Sequence, residues 1–294
     1  MSITELLRAR GLAPKKRFGQ NFLTDPRTCE GIAAAAAGLP ATGAPDAPAG
    51  TVLEIGAGLG ALTRPLCERA AHVIAIERDR DLVPILREEL SQPIADGKLE
   101  LIEADATQVD WPATLAPWPK PHAVAGNLPY LLTGMLLEQA THAASAIDRA
   151  VFMVQLEVAE RLAARPGSES YGALSVFVQA AFDVRRIFTV RAGSFYPRPE
   201  VDSAVVLLVP HRPRRAEETK AFSAAVRAAF GARRKTLRNA WKGLYGWSRE
   251  ELTARAEEAG ISLDARGETL SVEEFARMAA LAPASAKGSE QGRP

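Results

Sequence analysis

The sequence predicts an α/β fold: an open, largely parallel sheet covered by helices on both faces, followed by a small all-helical domain. Three observations carry this. Short, nearly continuous apolar runs rich in β-branched residues alternate with helix-period segments from residue 51 onward. A glycine turn follows the first of these runs and opens a helical pattern. Strand signals stop at Pro210, and residues 216–282 read as helices alone.

Residues 1–27 hold six basic and two acidic side chains and read as a basic N-terminal segment. "GLPATGAPDAPAG" (38–50) is rich in Pro, Gly and Ala and reads as a loop. "TVLEIG" is a strand, followed after the glycine turn by a helical pattern ending near "LCERA". "HVIAIERD" is the second strand and "RDLVPILREEL" the second helix, while "LELIEADA" and "HAVAGN" supply the third and fourth strands. "LLTGMLLEQATHAA" returns to helix and "RAVFMVQ" to strand, with late strands at "FDVRRIFTV" and "VDSAVVLLV". The expected organisation is a basic segment over 1–27, a sheet domain over 28–212, a helical domain over 213–282 and a disordered tail over 283–294.

Composition excludes several classes. No apolar run approaches the roughly 20 residues a membrane helix needs, and the N-terminus has no apolar signal core. Cys29 and Cys67 are the two cysteines and the four histidines lie near no cysteine pair, so neither a disulfide framework nor a zinc site is expected. A cytoplasmic protein without a metal is the expectation. The net charge of +1 hides segregation: residues 1–27 carry +4 and residues 221–249, free of acids, carry +7, leaving −10 on the remainder. Two positive patches on an acidic body suit an anionic partner.

"LEIGAGLG" places Gly56, Gly58 and Gly60 after a strand and before a helix, where the backbone can approach a ligand. Glu77 ends the next strand, 21 residues after Gly56, the distance at which an acid grips ribose hydroxyls. This Rossmann-like arrangement suits an adenosine, borne by a nicotinamide cofactor or by S-adenosylmethionine. The G-x-G-x-G spacing, with Ala61 last, departs from the G-x-G-x-x-G of dinucleotide sites. Asp105, after the third strand, can accept from an adenine amino group or serve as a helix N-cap.

Asn127-Leu128-Pro129-Tyr130 closes the fourth strand. Every polar signal thus gathers at the strands' carboxyl edge, where open α/β sheets bind ligands. The amino group of adenine is a poor nucleophile because its lone pair is delocalised. Acceptors set against its two N–H groups, the Asn127 oxygen and a main-chain carbonyl held by Pro129, favour the pyramidal nitrogen of an in-line methyl transfer. Tyr130 offers a flat face to the base. An isolated N-x-P-Y would read as a strand-terminating turn with a core tyrosine; its place in the sheet argues for function.

The tetrapeptide resembles the N/D-P-P-Y/F motif of amino-group methyltransferases, with Leu128 for the first proline. "KKRFGQNFL" (15–23), "LEIGAGLG", "NLPY" and "SFYPRPEVDSAVV" (194–206) together resemble the bacterial small-subunit (16S) rRNA adenine dimethyltransferases, the KsgA/RsmA family. "FGARRKTLRNA" (230–240) and "GISLDARGETLSVEEFARMA" (260–279) are similar to its helical C-terminal domain, and the likeness runs from about residue 8 to 280. The resemblance implies a Rossmann-like class I S-adenosylmethionine-dependent methyltransferase sheet with a small all-helical C-terminal domain. It implies cofactor contacts from Asn21, Leu23, Gly56, Gly58, Glu77, Asp105 and Asn127, handling of the target base by Asn127, Pro129 and Tyr130, and a second aromatic face from Phe195. It implies dimethylation of the N6 amino groups of two adjacent adenines in the 3′-terminal hairpin loop, S-adenosyl-L-homocysteine as product, no metal, and a monomer working on rRNA within an immature small subunit. The family's proline at Ala57 and its frequent lysine at Leu156 are absent; the second absence leaves any RNA contact there in doubt.

Arg234, Arg238 and Lys242 recur at helical spacing beside Leu237, Trp241 and Tyr245, which predicts one helix with a basic stripe bordering an apolar one. Arg233, Arg234, Lys235 and Arg238 are the expected contacts to rRNA backbone, against the plainer reading of a solvated helix face. The competing functions are a large-subunit rRNA adenine methyltransferase of the macrolide-resistance type, a nicotinamide-dependent oxidoreductase, and a non-catalytic ribosome assembly factor. The oxidoreductase lacks an evident catalytic histidine or tyrosine–lysine pair.

Overall fold

The computed structural model describes residues 3–15, 18–38, 49–232 and 234–286. Most of the expected loop over 38–50, Arg233, and the expected disordered tail beyond residue 286 lie outside the described residues. Nine strands are present among the described residues: β1 (Phe22–Leu23), β2 (Ala49–Ile55), β3 (Ala70–Glu77), β4 (Leu99–Glu103), β5 (His122–Asn127), β6 (Arg149–Gln155), β7 (Phe182–Val190), β8 (Phe195–Tyr196) and β9 (Ser203–Pro210). The main sheet has the order β4-β3-β2-β5-β6-β9-β7, and β1 pairs with β8 in a separate two-stranded ladder. β2 through β6 are mutually parallel, while β9 runs antiparallel to β6.

The central strands take this form because both faces are covered. Five successive residues of β5 and of β6 are buried, as the continuous apolar runs predict. At Gly126 the approach of β5 to β2 leaves no room for a side chain: a Cβ there would stand 2.5 Å from the Ile55 carbonyl oxygen. The chain order steps from β2 to β3 to β4 on one side and then resumes with β5 on the other side of β2. That reversal places a crevice beside the carboxyl ends of β2 and β5.

Two compact units emerge, Met1–Ala159 with Arg185–Pro210, and Glu160–Val184 with His211–Pro294. The sequence expectation keeps residues 160–184 in the sheet domain and ends that domain at 212; the structure divides the chain differently. The helix Ala173–Ala181 buries Val176 and Ala180 in the same cluster as Phe222, Trp241 and Phe275, so packing assigns it to the helical unit. Trp241 is fully buried, sets its ring edge-to-face against Phe275 at 6.2 Å, and donates its indole N–H to the Ala225 carbonyl at 2.9 Å. Two further helices, Arg249–Glu258 and Val272–Ala280, start at capping boxes, Ser248 with Glu251 and Ser271 with Glu274.

Contrary to the periodicity, the single amphipathic helix through Arg234, Arg238 and Lys242 does not form. Thr236 is extended, only Leu237–Ala240 is helical, and Gly243 in the left-handed region ends the run before Tyr245. Leu237 and Trp241 are buried as the apolar stripe requires, and Tyr245 anchors by donating its hydroxyl to the Ala221 carbonyl at 2.6 Å. Arg234 and Lys235 are exposed in the preceding turn, and Arg238 is paired with Asp264 at 3.0 Å.

Candidate functional site

The carboxyl ends of β2, β3, β4 and β5 open onto one cavity of about 1020 Å³, counting the space at its mouth. Gly56, Gly58, Glu77, Asp105, Asn127, Pro129 and Tyr130 line it together with Asn21 and Leu23 from the N-terminal segment. Residues more than 100 positions apart thus meet at the edge where the strand pattern predicts them.

The glycine turn is pinned from below: the N–H groups of Gly56 and Ala57 both reach the Ile76 carbonyl of β3, at 2.9 and 3.1 Å. Gly56 and Gly58 have φ of 77° and 60°, a region that strains other residues, and open space stands where a Gly56 side chain would be. Glu77 is buried, and its two oxygens accept the N–H groups of Gly58 at 2.8 Å and Asp79 at 2.7 Å. The Arg78 main-chain N–H also reaches this carboxylate, and the remaining acceptor capacity is open to a ligand hydroxyl. Burial raises the Glu77 carboxyl above the ordinary range, although the N–H groups of Asp79, Gly58 and Arg78 oppose the shift.

Glu54, two residues before the turn, also lines the cavity and is 1% exposed. Burial pushes its carboxyl up to about 8, and the neighbouring charge of Glu77 adds to this. The Thr63 hydroxyl opposes the shift, yet neither it nor Glu54 Oε2 completes a hydrogen bond. Asp105 does what a helix N-cap does: its Oδ1 accepts the Thr107 N–H at 3.0 Å and the Thr107 hydroxyl at 2.8 Å. Its Oδ2 pairs with the Arg78 guanidinium at 3.2 Å, and that guanidinium lies 4.7 Å from the Phe18 ring centre. The cavity wall therefore carries three carboxyl groups and one guanidinium. Glu54 is protonated at neutral pH and Asp105 is paired with Arg78, so the set offers hydrogen-bond acceptors to a sugar with free hydroxyls rather than a strong negative field.

At the tip of β5, Leu128 is buried and its N–H reaches the Met153 carbonyl at 3.1 Å. Pro129's own carbonyl accepts the Leu132 N–H at 2.9 Å and the Thr133 hydroxyl at 3.0 Å. Leu128, whose carbonyl precedes the Pro129 ring, lines the cavity. Asn127 Nδ2 donates to the Asn21 carbonyl at 2.9 Å. Tyr130 is half-buried with its hydroxyl 3.2 Å from Ser203 Oγ, and burial raises its phenol.

Phe195 does not join them. Its ring is 5% exposed, opposite Leu23 in the β1–β8 ladder and packed in the core cluster that includes Leu23 and Val205. It is not among the residues that line the cavity. Sequence reasoning also passes over Glu54, Arg78, Phe18 and Gln20, which do line the cavity. Glu54, Phe18 and Gln20 sit inside motifs singled out for their neighbours, so adjacency is the available signal. Among the described residues no cluster of three His, Cys, Asp or Glu side chains is placed to hold a metal ion, and no helix is long and apolar enough to cross a membrane.

Residues 11–283 match the family model described as ribosomal RNA adenine dimethylase. A protein of Magnetococcus marinus named ribosomal RNA small subunit methyltransferase A is 42% identical over 276 residues, covering 93% of this chain and 94% of that one. Its namesake from Syntrophotalea carbinolica is 43% identical over 270 residues, covering 91% and 96%. Among solved structures, the 23S rRNA methyltransferase ErmE superposes with a TM-score of 0.64 at 28% identity, covering 88% of this chain and 98% of that one. A dimethyladenosine transferase from Plasmodium falciparum shares the fold, with a TM-score of 0.73 at 24% identity over 87% and 95% of the two chains.

Proposed function

The chain belongs to the ribosomal RNA adenine dimethylase family, and we propose that it dimethylates the N6 amino groups of two adjacent adenines in the 3′-terminal hairpin loop of small-subunit rRNA, acting as a monomer on an immature subunit in the cytoplasm. S-adenosylmethionine is the methyl donor and S-adenosylhomocysteine the product. The wall fits that donor: Glu77 can accept from ribose hydroxyls, and Asp105 Oδ2 can accept from an adenine amino group. When bound, S-adenosylmethionine supplies a methyl group activated by a sulfonium.

One observation carries the chemistry. The Asn21 carbonyl can only accept, so the Asn127 amide must turn Nδ2 toward it and leave Oδ1 for another partner. Asn127 Oδ1 and the Leu128 carbonyl are then two acceptors for the two N–H bonds of an adenine amino group. They stabilise the nitrogen as it becomes tetrahedral and cationic, and they do so without reorganising. Its proton can leave after the methyl has arrived, so no general base is required. Tyr130, tethered through Ser203, presents its ring to the base. Arg234, Lys235 and Arg238 hold rRNA phosphates; Arg233 completes the set in sequence.

The deciding experiment incubates the protein with labelled S-adenosylmethionine and, in parallel, unmethylated small and large subunits, then digests each RNA. Labelled dimethyladenosine from 16S rRNA is the expected product. Label confined to 23S rRNA would transfer the reading to the large-subunit class, and no label at all would leave a binding protein.

A further inference from the structure

We propose that Lys15, Gln20 and Asp79 are positioning residues that hold the Asn127 amide in its reactive orientation through the Asn21 carbonyl; this rests on the methyl transfer proposed above. Asp79 follows β3 and its side chain is 2% exposed, yet it is ionised and fully engaged. Oδ1 accepts from Lys15 Nζ and from the Asp81 N–H at 3.1 Å, and Oδ2 accepts from Gln20 Nε2 at 2.7 Å. Burial alone would raise this carboxyl; the hydrogen bonds from Lys15 and Gln20 outweigh it and hold the group below its ordinary value. Lys15 Nζ also reaches Asp81 Oδ2 at 2.5 Å, and the Lys15 main-chain N–H donates to Gln20 Oε1 at 2.8 Å. Lys15, Asp79 and Gln20 thus close a ring of three links.

A buried carboxylate is stable only while its partners stay in place, so this ring fixes Gln20 against the end of β3. Gln20 is bonded to Asn21, whose carbonyl orients the Asn127 amide. That carbonyl is what distinguishes Asn127 Nδ2 from Oδ1. A flipped amide would face an adenine amino group with a second donor and oppose the reaction. Lys15 and Asp79 are not among the residues that line the cavity, whereas Gln20 reaches its wall; the ring acts through the Asn21 carbonyl on Asn127.

The test uses the full-length protein with Gln20→Met, which removes both links made by the Gln20 amide while leaving the Lys15–Asp79 pair, and Asp79→Asn, which removes the charge. Turnover is measured at saturating donor and small subunits. In parallel, the side-chain amide signals of Asn127 are followed by nitrogen NMR, assigned through their loss in Asn127→Ala. Both variants are expected to lower kcat by about 10-fold or more, the scale on which small misplacements act, while KM for the subunit stays within about 2-fold and the Asn127 amide signals broaden or double. Lys15→Arg, which keeps the charge, is expected to retain most of the wild-type kcat. Unchanged amide signals in Gln20→Met would overturn the proposal whatever happens to kcat, and so would altered signals with wild-type kcat. Should Asp79→Asn fail to fold, Gln20→Met decides alone. A wild-type protein that transfers no methyl would defeat the functional reading instead, while the amide signals would still report whether the link exists.

Discussion

The Glu77 carboxylate accepts the Gly58 N–H at 2.8 Å, so the acid at the end of β3 and the glycine turn after β2 form one rigid receptor. Replacing the charge should therefore weaken donor binding out of proportion to its size. Glu77→Gln is expected to raise the dissociation constant for S-adenosylmethionine about 10- to 100-fold, matching a charge-assisted bond worth about 1.5–3 kcal/mol. Calorimetric titration of donor into protein alone checks it.

Asn127→Ala removes the acceptor that meets the adenine amino group. Single-turnover methyl transfer should fall about 10²- to 10³-fold, the usual cost of removing one preorganised polar group at a transition state. Donor binding should weaken yet survive. Near-normal turnover in this variant would exclude the role.

Glu54 makes stability depend on pH. Its folded-state value of about 8 lies above the ordinary 4.5, so between those values the folded chain holds a proton that the unfolded chain has released. This contribution is fully present below about 4.5, declines as pH rises through the window, and levels off above about 8. Glu77 is raised in the same sense. The wild-type Tm should fall between pH 5 and pH 8, and Glu54→Gln should flatten that fall in thermal scans.

Neutralising Arg234, Lys235 and Arg238 one at a time should weaken RNA binding and reduce the slope of log K against log salt by about 0.7–0.9 for each phosphate left without its cation. Donor affinity should not change. An unaltered slope across all three would remove the assignment. Arg238 is the most telling of them, because it already pairs with Asp264 and must exchange a carboxylate for a phosphate.

Trp241→Ala should cost the helical unit about 3–5 kcal/mol, as truncation of a fully buried aromatic does. Denaturant unfolding followed by far-ultraviolet circular dichroism measures this directly.

What can be read from the chain is local or periodic. The seven sheet strands fall where the sequence predicts them; for β3, β5 and β6 burial on both faces leaves a continuous apolar signature, while β4 and β7 at the sheet's edges are partly exposed. The convergence of Gly56, Glu77, Asp105 and Asn127 follows from topology, since parallel strands bring their carboxyl ends to one edge. Pairings across distance leave no such trace. Nothing in "KKRFGQ" announces that Lys15 meets Asp79, or that Arg78 lies over Phe18. Phe195 shows a related gap: motif order places the residue correctly beside β1, while the direction of its ring depends on how two short strands pair. The basic helix fails to form because Thr236 and Gly243 break a run whose spacing alone looks helical. Residues 160–184 resemble the sheet's own helix and strand in pattern, but the helical unit offers their apolar faces a better core.

Both cysteines of the chain, Cys29 and Cys67, are free and buried, and burial pushes each thiol up to about 12. A native thiol of this kind is shielded from alkylating reagents at neutral pH. The unmodified sequence is consequently a ready background for site-directed labelling. A single cysteine introduced at Leu131, which is 72% exposed just past Tyr130, would carry a fluorophore or spin label without removal of either native thiol.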